Sequence, residues 1–498
     1  MADSHRCTSV AAELEGTLFI SGSLFPYFLL VALEAGGPLR AAALLAAYPL
    51  AALLGAAFSS DDLPLLAMTF LSTAGLAAGD VAAVARATLP RFFLADLRRS
   101  AFRAMTAARH GGERYVVTRL PRLMAEPFVR EYLGADVRVV GAELRVVGGR
   151  FSGTMASPGV AAGGDRSLGA LLAVLGRDRP IVDVGLCTGA AGDRRQPAFL
   201  QVCQERRAVS APEKSQATPL PRSEYPRPLV FHDGRLVRRP EPLAFLAILL
   251  WVPLGVVLSV MRLLLGFLPH GAGLLIAAAT GFRIRGGGLT GATGPAGRRR
   301  GTLFACNHQT LMDPVILSTV LRRKVTAVTY SLAGFSELIA PIPTVRLTRD
   351  RRRDSRIMRS ELEQGDLVVC PEGTTCREPY LLRFSPLFAE IAGGEVTPVA
   401  VRAGGAMFHG STVRGHKWLD SVFFLMNPAP WYEIRLLAPV PTGGGGGASS
   451  SSRDVANGVQ RMIGDELGFE CTELTRRDKY RMIAGHDGVD ARSPSSSS

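Results

Sequence analysis

Charged residues, paired cysteines and a cleavable leader are scarce or missing in this 498-residue sequence. Only 20% of residues are charged against 47% hydrophobic, a balance that leans towards a membrane-associated protein. The seven cysteines form no C-x-x-C pair and are odd in number, so reduced thiols facing the cytosol are expected instead of a disulfide framework. The opening "MADSHRCTSVAAELEGTLF" carries acidic residues and no long apolar core, which argues against a secretory signal, and no Arg-rich transit peptide stands out. Zinc spacings, an aromatic RNA-binding motif, a basic amphipathic helix and long internal repeats are also missing, so nucleic acid is not expected as a partner. The 57 Lys and Arg nevertheless exceed the 43 Asp and Glu by 14. Scattered in this way, the excess points to a membrane surface or a phosphorylated substrate.

The length allows two or three domains. Residues 9 to 20 hold a candidate strand, followed by two Ala/Leu-rich stretches, Leu39 to Phe58 and Leu63 to Ala78. Each reads either as a buried or surface-lying helix or as a membrane span. Residues 114 to 153 carry strand, helix, strand and hairpin signals. The Arg/Pro-rich segment 204 to 241 reads as a linker. Pro242 to Met261 is twenty residues without a charge, and the apolar run resumes after Arg262 to Gly281 around Pro269 and His270. That pattern predicts a bent membrane hairpin, inserted or lying in the interface. Residues 286 to 301 read as a flexible loop. From 301 to 440 strand signals (TLFA, VTAVTY, LVVC, VTPVAV, EIRLLAPV) alternate with helical ones, which predicts an α/β sheet domain. "TGGGGGASSSS" is a flexible linker, 453 to 468 a helix, and the tail ending "RSPSSSS" is expected to be disordered.

Chemistry concentrates in "LFACNHQTLMDP", residues 303 to 314. An apolar run ends in Asn307, His308 follows, and Asp313 comes five residues later. Strand exits are where α/β folds keep their chemistry. A turn after His308 would let the Asp313 carboxylate fix one imidazole nitrogen, so that the other could take a proton from a hydroxyl. Taken alone, the same residues could be a capping Asn, a solvated His and a turn Asp. Three further blocks follow: "AGFSELIAPIPTVRLTRDR" (Ala333 to Arg351), "LVVCPEGTTCREP" (Leu367 to Pro379) and "VTPVAV" (Val396 to Val401).

In this order and spacing the four blocks resemble the glycerol-phosphate acyltransferase superfamily. The resemblance implies that His308 is the general base on an acceptor hydroxyl that attacks an acyl thioester, with Asp313 orienting the ring. It implies phosphate recognition by Arg346, Arg349 and Arg377, and acceptor binding by the Glu372, Gly373 and Thr374 turn, Glu372 taking the hydroxyls. "FHDGRLVRRPEPLAFLAILLWVPLGVVL", followed by "CNHQTLMDPV", narrows the resemblance to the land-plant glycerol-3-phosphate sn-2 acyltransferases, which make precursors of cutin and suberin. From this follow the expected substrates, glycerol 3-phosphate and acyl-CoA, no further cofactor, and attachment to the endoplasmic reticulum, with mitochondria as the alternative.

That family carries an N-terminal domain similar to haloacid-dehalogenase phosphatases, matched here by "ELEGTLF", "FPYFLLVALEAGG", "VVTRLPRLMAEPFVREYLGAD" and "GAELRV". The phosphatases use D-x-D-G-T. Here both acids are glutamates, Glu13 and Glu15, and the added methylene moves each carboxylate by roughly 1 Å, enough to cost about 100-fold per group. The distal acids fail too, since Asp193 of "DVGLCTGAAGDRRQPAF" is followed four residues later by Pro197, leaving Asp183 and Asp193 a poor magnesium set. The expected organisation is therefore 1–210, a catalytically silent haloacid-dehalogenase-like domain; 211–241, linker; 242–281, membrane hairpin; 282–441, α/β acyltransferase domain; and 442–498, flexible linker, short helix and disordered tail.

Overall fold

The computed structural model describes residues 9–58, 62–107, 112–156, 166–175, 181–188, 197–209, 218–287, 301–329, 341–348, 350–392, 394–442 and 451–487. The chain divides into two compact units, Met1–His232 with Arg239–Leu246, and Asp233–Arg238 with Ala247–Ser498.

The strands of the first unit are β1 (Ser9–Glu13), β2 (Glu113–Val117), β3 (Arg138–Val140), β4 (Glu143–Val147), β5 (Arg150–Ala156), β6 (Val182–Thr188) and β7 (Cys203–Val209). Five of them make a parallel sheet in the order β3-β2-β1-β6-β7. The central β1 reads Ser-Val-Ala-Ala-Glu, and its middle three residues are buried, small side chains that suit a strand covered on both faces. Parallel neighbours need a long crossover. Between β1 and β2 it is, among the described residues, a run of six helices from Phe25 to Ala107. The two Ala/Leu-rich stretches are among them, as helices Pro38–Ala57 and Asp62–Thr73. Residues 114 to 153 fold as their signals predict, with β4 and β5 closing an antiparallel hairpin.

The second unit holds β8 (Arg283–Gly287), β9 (Leu303–Cys306), β10 (Val325–Thr329), β11 (Thr344–Arg346), β12 (Asp366–Val369), β13 (Tyr380–Leu381), β14 (Glu395–Gly404), β15 (Trp431–Leu436), β16 (Val440–Pro441) and β17 (Glu470–Cys471). The main sheet runs β11-β10-β12-β9-β14-β15-β8. β9 lies in its middle, parallel to both β12 and β14, and all four of its residues are buried. One face packs against helices Arg351–Gln364 and Ser452–Leu467; Met358, Leu362, Val459 and Ile463 meet Leu303 and Leu367 in one core. Side chains this buried contribute about 1.5–3 kcal/mol each.

The apolar segment from Pro242 forms a helix to Leu264, a short turn, and a second helix His270–Ala279. Trp251, Gly255, Ser259 and Arg262 recur at helical spacing and form one seam. Trp251 Nε1 donates to the Met426 carbonyl at 2.7 Å and Ser259 Oγ to Val422 at 3.0 Å. A Cβ on Gly255 would stand 3.2 Å from the Met426 oxygen. Arg262 is buried and donates to the carbonyls of Leu425, Asn427, Pro428 and Thr280, so the charge inside the apolar run is a brace. Away from this seam Leu243, Leu250, Leu254, Val257, Val260 and Leu264 are exposed. Among the described residues two helices are long and apolar enough to cross a membrane, Pro38–Ala57 and Pro242–Phe267.

Two expectations change. Part of the supposed linker is ordered: 203–209 is β7, and 233–238 belongs to the second unit, where Asp233 accepts hydrogen bonds from Thr412 Oγ1 and the amides of Val413 and Arg414. The C-terminal stretch also holds a second helix, Arg476–Ala484, opened by a Thr475/Asp478 capping box and burying Lys479, Tyr480 and Ile483. Most of the 286 to 301 loop and the final serines fall outside the described residues.

Candidate active site

β9 ends at Cys306, and the next three residues alternate in direction. Asn307 exchanges two hydrogen bonds with the backbone of Val401 on β14, at 2.7 and 2.9 Å, and Gln309 Oε1 accepts the Ala403 amide at 2.9 Å. These two amides pin the chain to β14 on either side of His308. The chain then turns back, so that Asp313 opens the helix Asp313–Leu321.

His308 Nδ1 and Asp313 Oδ2 are 2.9 Å apart, with the carboxylate wholly buried. Asp313 also accepts from the amides of Gln309 and Thr310, from Thr310 Oγ1 and, at 2.9 Å, from Tyr432 Oη on β15. A carboxylate this saturated cannot rotate, and it lies in the first turn of a helix, where negative charge is favoured. Burial opposes charge on the His308 ring, but Cys370 and Asp313 beside it outweigh burial and lift its pKa well above the ordinary value. With Nδ1 facing the carboxylate, Nε2 is the nitrogen that can exchange a proton with a hydroxyl.

His308 opens on a cavity of about 1100 Å³. One part of its wall is apolar: Leu263, Leu274, Phe282, Met312, Val315 and Ile316. Another is polar: Gly373, Thr374 and the basic Arg383, Lys417, Arg476 and Lys479, with the acids Glu372, Asp420 and Glu473 among them. An acyl chain suits the first and a phosphate the second.

Gly373 and Thr374 lie on the cavity wall, Gly373 at a φ of +67°, where a side chain would be strained. Glu372 lines the cavity with them and has a structural task as well. Buried, it accepts the amides of His308 at 2.7 Å and Leu382 at 3.0 Å, which ties the turn after β12 to the exit of β9. Burial raises its pKa to about 7. Arg377 is reassigned. It does not line the cavity; its guanidinium donates to Gly234 O at 2.9 Å, Ser411 Oγ at 3.2 Å and Asp233 at 3.4 Å. Three of its five N–H groups are thus bonded within the chain, and the fork serves as a brace away from the cavity. Arg346 ends β11, exposed and off the cavity wall, and Arg349 lies outside the described residues.

Sequence reasoning missed Tyr432, Gln309, Cys370 and Lys479. Cys370 directly follows β12, beside Cys306, the two sulfurs 3.4 Å apart. Gln309 was within reach, because it alternates with His308 after the strand. Tyr432 arrives from a strand far along the chain and has no local signature.

In the first unit Glu13 and Glu15 lie at the carboxyl end of β1, where doubly wound sheets hold ligands. Glu15 is buried and accepts Thr118 Oγ1 at 2.5 Å and the amides of Arg119 and Leu120 at 3.2 and 3.3 Å; burial raises its pKa. A carboxylate so engaged is a poor metal ligand. Asp183 is further removed: it accepts Ser9 Oγ at 3.0 Å, at the amino end of the sheet, and Asp193 is outside the described residues. The described acids do not fit a magnesium ion of the phosphatase type.

A saturated His-Asp pair at the exit of a central parallel strand, opening on a cavity lined by both apolar and basic side chains, fits an acyltransferase-type site. Comparisons agree. Residues 9–209 match the family described as "Glycerol-3-phosphate acyltransferase RAM2-like, HAD-like domain", and residues 293–402 the Acyltransferase family. The chain is 42% identical to glycerol-3-phosphate acyltransferase RAM2 of Petunia hybrida, over 97% of this chain and 98% of that protein. It is 42% identical to probable glycerol-3-phosphate acyltransferase 2 of Arabidopsis thaliana, over 96% and 89%, and to glycerol-3-phosphate acyltransferase 1 of the same plant, over 98% and 85%. The chain belongs to the plant glycerol-3-phosphate acyltransferase family.

Proposed function

We propose that the protein transfers an acyl group from acyl-CoA to the sn-2 hydroxyl of glycerol 3-phosphate and releases lysophosphatidic acid for extracellular lipids of the cutin and suberin type. The observation that carries the reading is the His308–Asp313 pair facing the two-sided cavity. Nε2 of His308 takes the hydroxyl proton as the oxygen attacks the thioester carbonyl; the C–O bond forms, the C–S bond breaks, and CoA thiolate leaves and is protonated. Asp313 stabilises the imidazolium. The chemistry calls for neither metal nor cofactor. Gly373 and Thr374 receive the acceptor, and the apolar wall receives the acyl chain.

The phosphate stays on the product, because among the described residues the first unit holds no fitting nucleophile, acid and metal set. The exposed apolar faces of Pro38–Ala57 and Pro242–Phe267 support attachment to a membrane, in this reading the endoplasmic reticulum with the site facing the cytosol. One assay tests these statements together. Carbonate-washed membranes given glycerol 3-phosphate, acyl-CoA and magnesium are expected to form acyl-glycerol phosphate and release no inorganic phosphate. Glu13→Asp with Glu15→Asp should still release none efficiently, since the metal set stays poor. Activity that leaves with the carbonate wash contradicts the attachment, and magnesium-dependent phosphate release lost in Glu13→Ala contradicts the silent phosphatase.

A further inference from the structure

The helix Arg476–Ala484 brings to the cavity wall an ammonium with no counter-ion. Lys479 is buried, 6% exposed. Its Nζ donates to the Thr375 carbonyl at 2.5 Å, Thr375 Oγ1 at 3.2 Å and Thr374 Oγ1 at 3.4 Å. All three acceptors are neutral. Among the described residues no carboxylate stands within ion-pairing distance of it. The acids that act on it from further away are already engaged: Asp233 with Arg377 at 3.4 Å, Asp420 with Arg235 at 2.7 Å, and Glu372 with two backbone amides. A buried charge without a partner is costly. Burial accordingly lowers the pKa of Lys479 to about 8. Two further cations stand near it on the lining, Lys417, whose Nζ bonds Tyr480 Oη at 2.9 Å, and Arg476, which stacks 4.6 Å over the same ring, beside the acids Asp420 and Glu473.

Such a site lacks an anion. Its place selects which one: Thr375 precedes Cys376, whose amide donates to the His308 carbonyl at 2.8 Å, so the ammonium stands beside the backbone that carries the base. In glycerol 3-phosphate a three-carbon backbone keeps the phosphate close to the hydroxyl that must reach His308. We propose that Lys479 is the cation that receives the phosphate of the acceptor, assisted by the hydroxyls of Thr374 and Thr375. The proposal rests on the acyl-transfer reading given above and adds a phosphate ligand from a segment outside the four recognised blocks.

The test uses the full chain in detergent. Replacing Lys479 by Met removes one charged hydrogen bond to phosphate, and KM for glycerol 3-phosphate should rise roughly 10- to 100-fold, with KM for acyl-CoA and the melting temperature nearly unchanged. In the wild type, KM for glycerol 3-phosphate should climb about tenfold per unit above about pH 8 as the ammonium loses its proton. Among the neighbours Asp420, raised to about 6, and Glu372, raised to about 7, have ionised by then, Cys376, raised to about 12, has not, and Asp233 and Arg377 hold their charges. His308, lifted above the ordinary histidine value, titrates in wild type and Lys479→Met alike, so the difference between the two in KM for glycerol 3-phosphate isolates the ammonium. In Lys479→Met the climb should vanish. Equal increases in both KM values, a loss confined to kcat, or a wild-type KM flat to about pH 9 would each overturn the proposal. An increase confined to acyl-CoA would move the ammonium to a phosphate of CoA and overturn it as well. Calorimetric binding of glycerol 3-phosphate needs no turnover and separates the two claims. A wild type that binds it through Lys479 yet transfers nothing refutes the transfer reading and leaves the anion site standing.

Discussion

His308→Ala is expected to lower acyl transfer by about 10²–10⁴-fold, the range a positioned general base supplies. The fold should survive, because the ring faces the cavity while the strand exit is held by Asn307, Gln309 and the Glu372 carboxylate on the His308 amide. Wild-type kcat/KM should rise with pH through a value above that of an ordinary histidine, since the neutral ring is the active form and its environment favours the charged one. The alanine variant should lose that limb. A variant with lost activity and a collapsed melting temperature would make His308 a structural residue.

Asp313→Asn is expected to be as severe, up to about 10⁴-fold, as for carboxylates that fix a catalytic imidazole. The Asp313 oxygens accept from two amides, Thr310 Oγ1, Tyr432 Oη and the imidazole. An asparagine can offer only one oxygen to this set. Its NH₂ would face donors, leave one or more unsatisfied at about 1–3 kcal/mol, and favour the tautomer with the proton on Nε2, which cannot act as base. Both kcat and melting temperature should therefore fall. Retention of more than roughly a tenth of wild-type kcat would show that the carboxylate does not set the ring.

Much of this site is legible in the sequence, because its parts are local. An apolar strand, an Asn-His exit and an Asp one turn later constrain one another within a dozen residues. The α/β alternation of 301 to 440 carries the sheet in the same way. What the sequence hides depends on distant partners. Arg377 resembles a phosphate fork beside "PEGTT", yet its carboxylate, Asp233, lies 144 residues upstream in a stretch whose Pro and Arg content signals a linker. Nothing in the neighbourhood of Glu372 says that its oxygens also hold two backbone amides. Lys479 sits after a Gly/Ser run in a charged stretch whose polar surface outweighs the Tyr480 and Ile483 that anchor it. The Thr475/Asp478 capping box is its one local signal.

The acceptor is the point on which the mechanism turns, and a competition assay addresses it most directly. Purified chain is given labelled acyl-CoA with equal amounts of glycerol 3-phosphate and a lysophosphatidic acid, and the products are resolved by acyl number and position. The expected result is label in a monoacyl product at the sn-2 hydroxyl, with its phosphate retained. Label in a diacyl phosphate, with glycerol 3-phosphate untouched, would contradict it.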